Sequence, residues 1–267
     1  MDYEIPLRNE ISNKGTYGKV LNIAGSDYMP GAAILSSLAA LTTGCGYVFL
    51  ASTERVIDAA AAQTQNVVFA PLKDIEKHLK TSDVLLIGCG ISTSDNAKRI
   101  FKNTLEKADI PTVIDADGLN ILSETETIKL PAKTILTPHA KEAGRLLKVD
   151  IEKILCDMET SAKEISQKYN CTTVLKSEKT IISSKDFQIY TLDKPNSALA
   201  KAGSGDVLAG IISGLLAQGL DEFNSAKTGV YLHSIAGSLA KNDLTEFGVL
   251  ASDTIRYIPY AFKKLLN

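Results

Sequence analysis

The stretch Asn196 to Gly219 reads NSALAKAGSGDVLAGIISGLLAQG, with a carboxylate, Asp206, directly after Gly203-Ser204-Gly205. Its second half is apolar nearly all round, which predicts a buried helix with Gly219 as its C-terminal stop. A buried helix that starts at a glycine turn presents unpaired backbone amides at that end. Glycines let the backbone approach a ligand closely, and the helix dipole favours negative charge there, so the turn suits a phosphate. Asp206 can take a proton from a substrate hydroxyl as it attacks a nucleotide phosphate, while the amides stabilise charge on the transferring phosphoryl group. Asp is also a favoured helix cap, and a lone Gly-x-Gly-Asp reads as one. The wholly apolar helix behind it and the other turns of the chain favour the chemical role.

Three further segments offer ligand-facing groups. Thr137-Pro138-His139-Ala140-Lys141-Glu142 follows a strand, with Glu142 one helical turn beyond His139. A carboxylate near a nucleotide can hold Mg²⁺ through water. Taken alone, His139 reads as a satisfied histidine and Glu142 as a first-turn charge. Lys176-Ser177-Glu178-Lys179-Thr180 joins two short strands and can give a cation and amides to a nucleotide; alone it reads as a charged hairpin loop. Gly25 to Ala33 (GSDYMPGAA) links a strand to a helix of small residues that leaves room for a bulky ligand. It is neither a dinucleotide-binding GxGxxG nor a P-loop, and strand–helix packing would favour the same residues.

The elements that must position these turns alternate. Lys19–Ala24, Tyr47–Ala51, Asp83–Ile87, Pro111–Asp115 and Lys133–Leu136 read as five buried strands, with helices such as Gly31–Thr43 and Ser94–Ala108 between them. That pattern predicts a mostly parallel sheet with helices on both faces. Thr172–Leu175, Thr180–Ser183 and Phe187–Thr191 read as edge strands in hairpin pairing. Asp206–Gln218, Phe223–Leu239 and Ser252–Leu266 read as closing helices. In such sheets ligands bind beyond the carboxyl ends of the strands, where Gly25-Ser26, Gly88-Cys89-Gly90, Asp115-Ala116-Asp117 and Thr137-Pro138-His139 fall. No linker or repeat divides the 267 residues, so a single domain over 1–267 is expected.

Charge is nearly balanced, 29 basic against 31 acidic residues, which argues against a nucleic-acid partner. The four cysteines, Cys45, Cys89, Cys156 and Cys171, show no metal-ligand spacing and read as reduced, mostly buried thiols. No apolar run approaches the roughly 20 residues that span a bilayer, and Met1–Asn13 does not read as a signal peptide. A cytoplasmic protein without a membrane partner is expected.

Together the motifs resemble the ADP-dependent NAD(P)H-hydrate dehydratases, a branch of the ribokinase-like superfamily. The likeness runs from about Lys14 to the last helix, and its most specific stretch is Asn196 to Gly210, similar to the family's NxxLAKxGxGDxLxG signature. Gly25-Ser26 with Pro30 to Ala33, Gly44-Cys45-Gly46, Gly88-Cys89-Gly90, Asp115 to Asn120 and Thr137-Pro138-His139 with Glu142 resemble its other motifs. The resemblance implies a ribokinase-like three-layer α/β/α fold and a hydro-lyase reaction. ADP phosphorylates the hydroxyl of (6S)-NADHX or (6S)-NADPHX, then phosphate leaves, giving NADH or NADPH plus AMP. It makes Asp206 the general base and the Gly203, Ser204 and Gly205 amides the anion hole. Ala33, Gly90, His139 and Asp206 would contact the hydrate, and Lys176, Ser177, Glu178, Lys179, Thr180 and Gly205 the nucleotide. It also implies Mg²⁺ with ADP, a homotetramer, and a separate NAD(P)HX epimerase in the pathway. Ala202, Ser204, Ser177 and Ala140-Lys141 depart from common family residues. Two alternatives share the Gly-x-Gly-Asp logic: a kinase of a small hydroxylated metabolite such as a thiazole or pyrimidine alcohol or a sugar, and a non-catalytic nucleotide sensor.

Overall fold

A computed structural model describes residues 3–125 and 128–266 of the chain. In chain order the elements are β1 (Lys19–Ile23), α1 (Pro30–Thr43), β2 (Tyr47–Ser52), α2 (Glu54–Ala61), β3 (Val68–Pro71), α3 (Ile75–Leu79), β4 (Val84–Ile87) and α4 (Asp95–Leu105). They continue with β5 (Thr112–Ile114), α5 (Asp117–Glu124), β6 (Thr134–Leu136), α6 (Ala140–Leu147), α7 (Ile151–Cys156) and α8 (Met158–Tyr169). The last group is β7 (Thr172–Lys176), β8 (Thr180–Ser183), β9 (Ile189–Leu192), α9 (Ser204–Ala217), α10 (Glu222–Gly248) and α11 (Ala251–Leu266).

One nine-stranded sheet runs in the order β3-β2-β1-β4-β5-β6-β7-β8-β9. All pairs from β3 to β7 are parallel, and β7, β8 and β9 form the expected antiparallel edge, with Thr173 opposite Ser183 and Thr180 opposite Leu192. Strand residues alternate faces, and here both faces are buried. Leu85 and Ile87 of β4 point into a core with Phe101, Leu119, Leu146 and Ile165 of α4, α5, α6 and α8. Val84 and Leu86 point into the opposite core with Ile34, Leu208, Ile212 and Val230 of α1, α9 and α10. The result is the expected three-layer α/β/α arrangement.

Caps set where helices begin. Ser94, Thr53 and Asp221 accept from Ala97, Val56 and Asn224 amides, each satisfying a first-turn donor. The sequence reading did not include β3. That strand is four residues long, partly exposed and ends in a proline, so it has neither the length nor the apolar run of a central strand. The second helix of the closing group also runs on, as α10, to Gly248 through a kink at Thr245 (φ 63°, ψ 161°). Three of the four cysteines are buried as expected, and Cys156 is exposed. No helix among the described residues is long and apolar enough to cross a membrane.

The sheet's direction of travel reverses at β1 and β4, which are neighbours although β2 and β3 lie between them in sequence. Such a switch point opens a crevice at the strands' carboxyl ends. Behind it α9 lies against α1 at glycines. A Cβ added at Gly210 would sit 2.3 Å from the Ser36 carbonyl oxygen, and one at Gly214 2.7 Å from that of Ala40. This close contact fixes where α9 ends relative to the sheet. Gly210→Ala is therefore expected to lower the unfolding free energy by about 1–3 kcal/mol. Gly31→Ala, with no atom within 4 Å of the added carbon, is expected not to lower it. Chemical denaturation of the two variants checks both.

Candidate active site

Four adjacent strand ends and one helix end meet at a buried polar cluster. After β5, Asp115 is almost fully buried. Its Oδ1 accepts from Thr137 Oγ1 at 2.7 Å, after β6, and from Lys176 Nζ at 2.9 Å, at the end of β7. After β4, the turn Gly88-Cys89-Gly90 has φ of 126° at Gly88 and 65° at Gly90. A side chain at Gly88 would meet the Asp115 carbonyl at 2.0 Å, so only glycine lets the β4 and β5 ends lie this close. Asp206, in the first turn of α9, completes the set. Ligand atoms of Cys89, Asp115 and Asp206 all lie within 4.8 Å of one another.

The start of α9 has the geometry a phosphate needs. Gly203 takes φ 89° in the left-handed region and no side chain caps the helix. The Ser204 amide donates to Lys201 O at 3.2 Å and that of Val207 to Gly203 O at 3.1 Å. The amides of Gly205 and Asp206 have no backbone acceptor among the described residues. A Cβ at Gly205 would lie 3.4 Å from Lys176 Nζ and 3.7 Å from Asp115 Oδ2, so the first turn of α9 lies beside the Lys176 ammonium. Ala202, one of the departures from the family pattern that the resemblance implies, is not among the residues with positive φ.

Burial, then Asp115, pushes the Asp206 carboxyl up to about 6, while the Cys89 thiol and Lys176 pull it down. A carboxylate with that value is ionised at neutral pH and still basic enough to receive a proton. Burial and the two carboxylates hold the Cys89 thiol well above its usual range. Burial works against the Lys176 ammonium, but Asp115 and Glu142 raise it above the ordinary lysine value, so it stays charged.

His139 and Glu142 form a capping box at α6. His139 Nδ1 accepts from the Lys141 and Glu142 amides, and Glu142 Oε2 accepts from the His139 amide at 2.9 Å. With Nδ1 an acceptor, the proton of the neutral ring sits on Nε2, 3.4 Å from Glu142 Oε1. Burial first, then Asp115, pushes the Glu142 carboxyl up to about 7, against Lys176. Both Glu142 oxygens are thus engaged by His139, and Asp115 and Asp206 are the carboxylates that face the phosphate site. This donor set, two carboxylates with an un-ionised thiol and an ammonium, is no cage. It fits an ion such as Mg²⁺ that keeps much of its water and takes its other ligands from substrate phosphates.

Two cavities lie at this end of the sheet, and the first borders the cluster at Lys176. One, of about 490 Å³, is lined by His139, Lys176, Ser177, Glu178, Thr180 and Gly205, and is closed by the segment from Asn196 to Lys201 and by His233. Lys179 lies outside that lining; its carbonyl accepts from the Ser177 amide and closes the hairpin. The other, of about 360 Å³, lies past the Gly88–Gly90 turn, between Gly25, Ser26 and Tyr28 on one side and Ile91, Ser92 and Asn96 on the other. Ala33 and Gly90 sit behind these loops rather than on a cavity wall. Ala33 is fully buried, its Cβ 2.9 Å from the Cβ position of Gly25, and Gly90 packs on Ala32 and Met29.

Four residues of this geometry carry no role in the sequence reading: Asp115 as the hub, Thr137 as its clamp, Cys89 and His233. The Asp-Ala-Asp turn is visible in sequence, but not which aspartate turns inward. Asp117 turns outward and accepts from the Ser92 amide at 2.8 Å. For His233 the only signal is a histidine on an otherwise apolar helical stretch.

A family profile described as NAD(P)H-hydrate dehydratase matches residues 20–260. The chain is 37% identical over 239 residues to the ADP-dependent (S)-NAD(P)H-hydrate dehydratase of Neisseria meningitidis, covering 88% of this chain and 81% of that one. It is 34% identical to the bifunctional NAD(P)H-hydrate repair enzyme of Moorella thermoacetica, covering 98% of this chain and 52% of the relative, so it spans about half the length of such bifunctional relatives. The crystal structure of ADP/ATP-dependent NAD(P)H-hydrate dehydratase from Bacillus subtilis, co-crystallised with ATP and Mg²⁺, superposes with a TM-score of 0.88 at 30% identity, over 97% of this chain and 94% of that one. With this sequence match, this sheet order and Asp206 at a glycine-led helix end, the chain belongs to the NAD(P)H-hydrate dehydratase family.

Proposed function

We propose that the chain dehydrates (6S)-NADHX and (6S)-NADPHX back to NADH and NADPH at the expense of ADP, releasing AMP and phosphate. The observation that carries this reading is the position of Asp206: a carboxylate beside the free amides of the α9 start, next to Gly205 on the wall of the cavity that Lys176 also lines. ADP occupies the cavity lined by Lys176, Ser177, Glu178 and Thr180, with its terminal phosphate at the Gly205 and Asp206 amides and Lys176. The hydrate lies on the other side, with its ring hydroxyl at Asp206.

Asp206 takes the hydroxyl proton as that oxygen bonds to the terminal phosphorus of ADP and the bridging P–O bond breaks, releasing AMP. The Gly205 and Asp206 amides and the Lys176 ammonium stabilise the charge on the phosphoryl oxygens. The ring C–O bond then breaks, phosphate leaves, and a proton is lost from the neighbouring ring carbon as the double bond forms. When bound, Mg²⁺ neutralises phosphate charge, and Asp115 and Asp206 would hold it through water. Ala33 and Gly90 shape the hydrate side from beneath the loops, while His139, whose half-exposed ring lines the nucleotide cavity, would meet the hydrate only where the two ligands approach each other.

An NAD(P)HX epimerase is the pathway partner this reading expects. A homotetramer is the expected assembly, and Phe247, Leu250 and Tyr260, exposed around the α10–α11 junction, are apolar surface available to it.

Protein mixed with ADP, Mg²⁺ and NADHX is expected to restore the NADH absorbance band. No restoration, together with phosphorylation of a thiazole alcohol by ATP, would replace this reading with a small-alcohol kinase. Asp206→Asn is expected to lose on the order of 10²–10⁴-fold in turnover while calorimetry still detects ADP binding; near-normal turnover would remove Asp206 from the base role. Because the reaction needs Asp206 ionised and its carboxyl is pushed up to about 6, kcat/KM is expected to be level above that pH and to fall about tenfold per unit below it. Cys89→Ala removes a hydrogen-bond donor that favours the carboxylate, so the midpoint of that limb should move to higher pH. A pH–rate profile of both proteins reads the shift.

A further inference from the structure

His233 is a buried polar group that the reaction described above does not use. It sits on α10, between Leu232 and Ser234, with 8% of its surface exposed. Its Nε2 lies 3.2 Å from Ser204 Oγ, and both groups are buried. Burial, then Lys176, pushes its pKa down to about 4, so the ring is neutral.

Ser204 is the first residue of α9, and its hydroxyl does not cap the helix. Its amide donates to Lys201 O and its hydroxyl meets His233, so this one residue is held both by the preceding loop and by α10. The next two residues carry the free amides and Asp206. A second contact runs alongside: a Cβ at Gly237, one helical turn on from His233, would lie 2.5 Å from Leu199. The helix therefore presses on the same loop that His233 pins. His233 and Ser204 also line the donor-nucleotide cavity.

We propose that His233 is a positioning residue: through Ser204 it fixes the orientation of the first turn of α9, and with it the amides that receive the transferring phosphoryl group. This rests on the reading of that turn as the anion hole. Misplacing a reacting group by about 1 Å can cost on the order of 10²-fold, so the tether belongs in kcat and not in ADP affinity.

The test is a double-mutant cycle on turnover of NADHX with ADP. His233→Leu and Ser204→Ala are each expected to lower kcat by roughly 10- to 100-fold, with the KM for ADP within about threefold of wild type. The double variant is expected to be no slower than the slower single one, because both remove one tether. His233→Gln, whose amide nitrogen can reach the Nε2 position, and Ser204→Thr, which keeps the hydroxyl, are expected to restore most of kcat. Losses that multiply in the double variant, a His233→Leu protein with wild-type kcat, or an effect confined to the KM for ADP would each overturn the proposal. If His233→Leu does not fold, the Ser204→Ala and Ser204→Thr pair decides: equal kcat in the two overturns it. Wild-type protein that binds ADP yet returns no NADH would instead overturn the function on which the proposal rests.

Discussion

The ion pair between Lys176 and Asp115 holds the site together. Asp115 has 2% of its side chain exposed and Lys176 18%. Charges taken this far out of water are costly unless each finds a close, well-oriented partner, and removing one partner costs about 3–5 kcal/mol because the other is left buried and unpaired. Here Thr137 adds a second donor to Asp115. The pair ties the end of β5 to the end of β7, across β6, and so closes the sheet's carboxyl edge at the depth where α9 begins. It also sets the charge balance. Lys176 offsets one carboxylate, so that a second one, Asp206, can be placed within reach without both being driven neutral.

Tight backbone packing transmits this arrangement. Glycines at 210 and 214 let α9 press onto α1, and Asn22 of β1 donates to both Ser36 and Ser37 of α1, at 2.8 and 2.9 Å. Sheet, α1 and α9 therefore share one rigid frame. The loop before α9 is fastened differently, by polar contacts to the kinked end of α10. Ser197 Oγ donates to Glu246 at 2.7 Å, and Lys201 Nζ to the Phe247 carbonyl at 3.1 Å, directly after Thr245 in its sparsely populated backbone conformation. The phosphate turn is thus supported by apolar packing from behind and by hydrogen bonds from the side.

Much of this was legible in the sequence because it follows from local pattern. Runs such as Val84 to Ile87 are apolar throughout, as strands covered on both faces must be. The stretch after Asp206 is apolar all round because α9 lies between the sheet-facing core and α11. The Gly203 conformation likewise follows from a glycine at a helix start. The parts that were not legible depend on distant partners. Short, half-exposed β3 takes its identity from pairing with β2. Asp115 and Asp117 are two residues apart in the same turn, and only the approach of Lys176, 61 positions later, distinguishes the hub from the outer clamp. His139 and Glu142, taken alone, carry the signal of a satisfied histidine and a first-turn charge, and the capping box satisfies them both.

The same geometry explains why the buried thiol at position 89 belongs in a carboxylate cluster. A third ionised group there would face Asp115 and Asp206 with a single ammonium to balance three negative charges. A thiol kept protonated by burial and by its neighbours adds no charge, fills the space left by the Gly88–Gly90 turn, and gives Asp206 a hydrogen bond that favours its ionised form. A metal cage would need that thiol as an anion. The cluster therefore holds two negative charges, one positive charge and one weak neutral donor, the charge balance that the proposed proton transfer beside a phosphate needs. That set suits Mg²⁺ held through water at Asp115 and Asp206 with its other ligands from substrate phosphates.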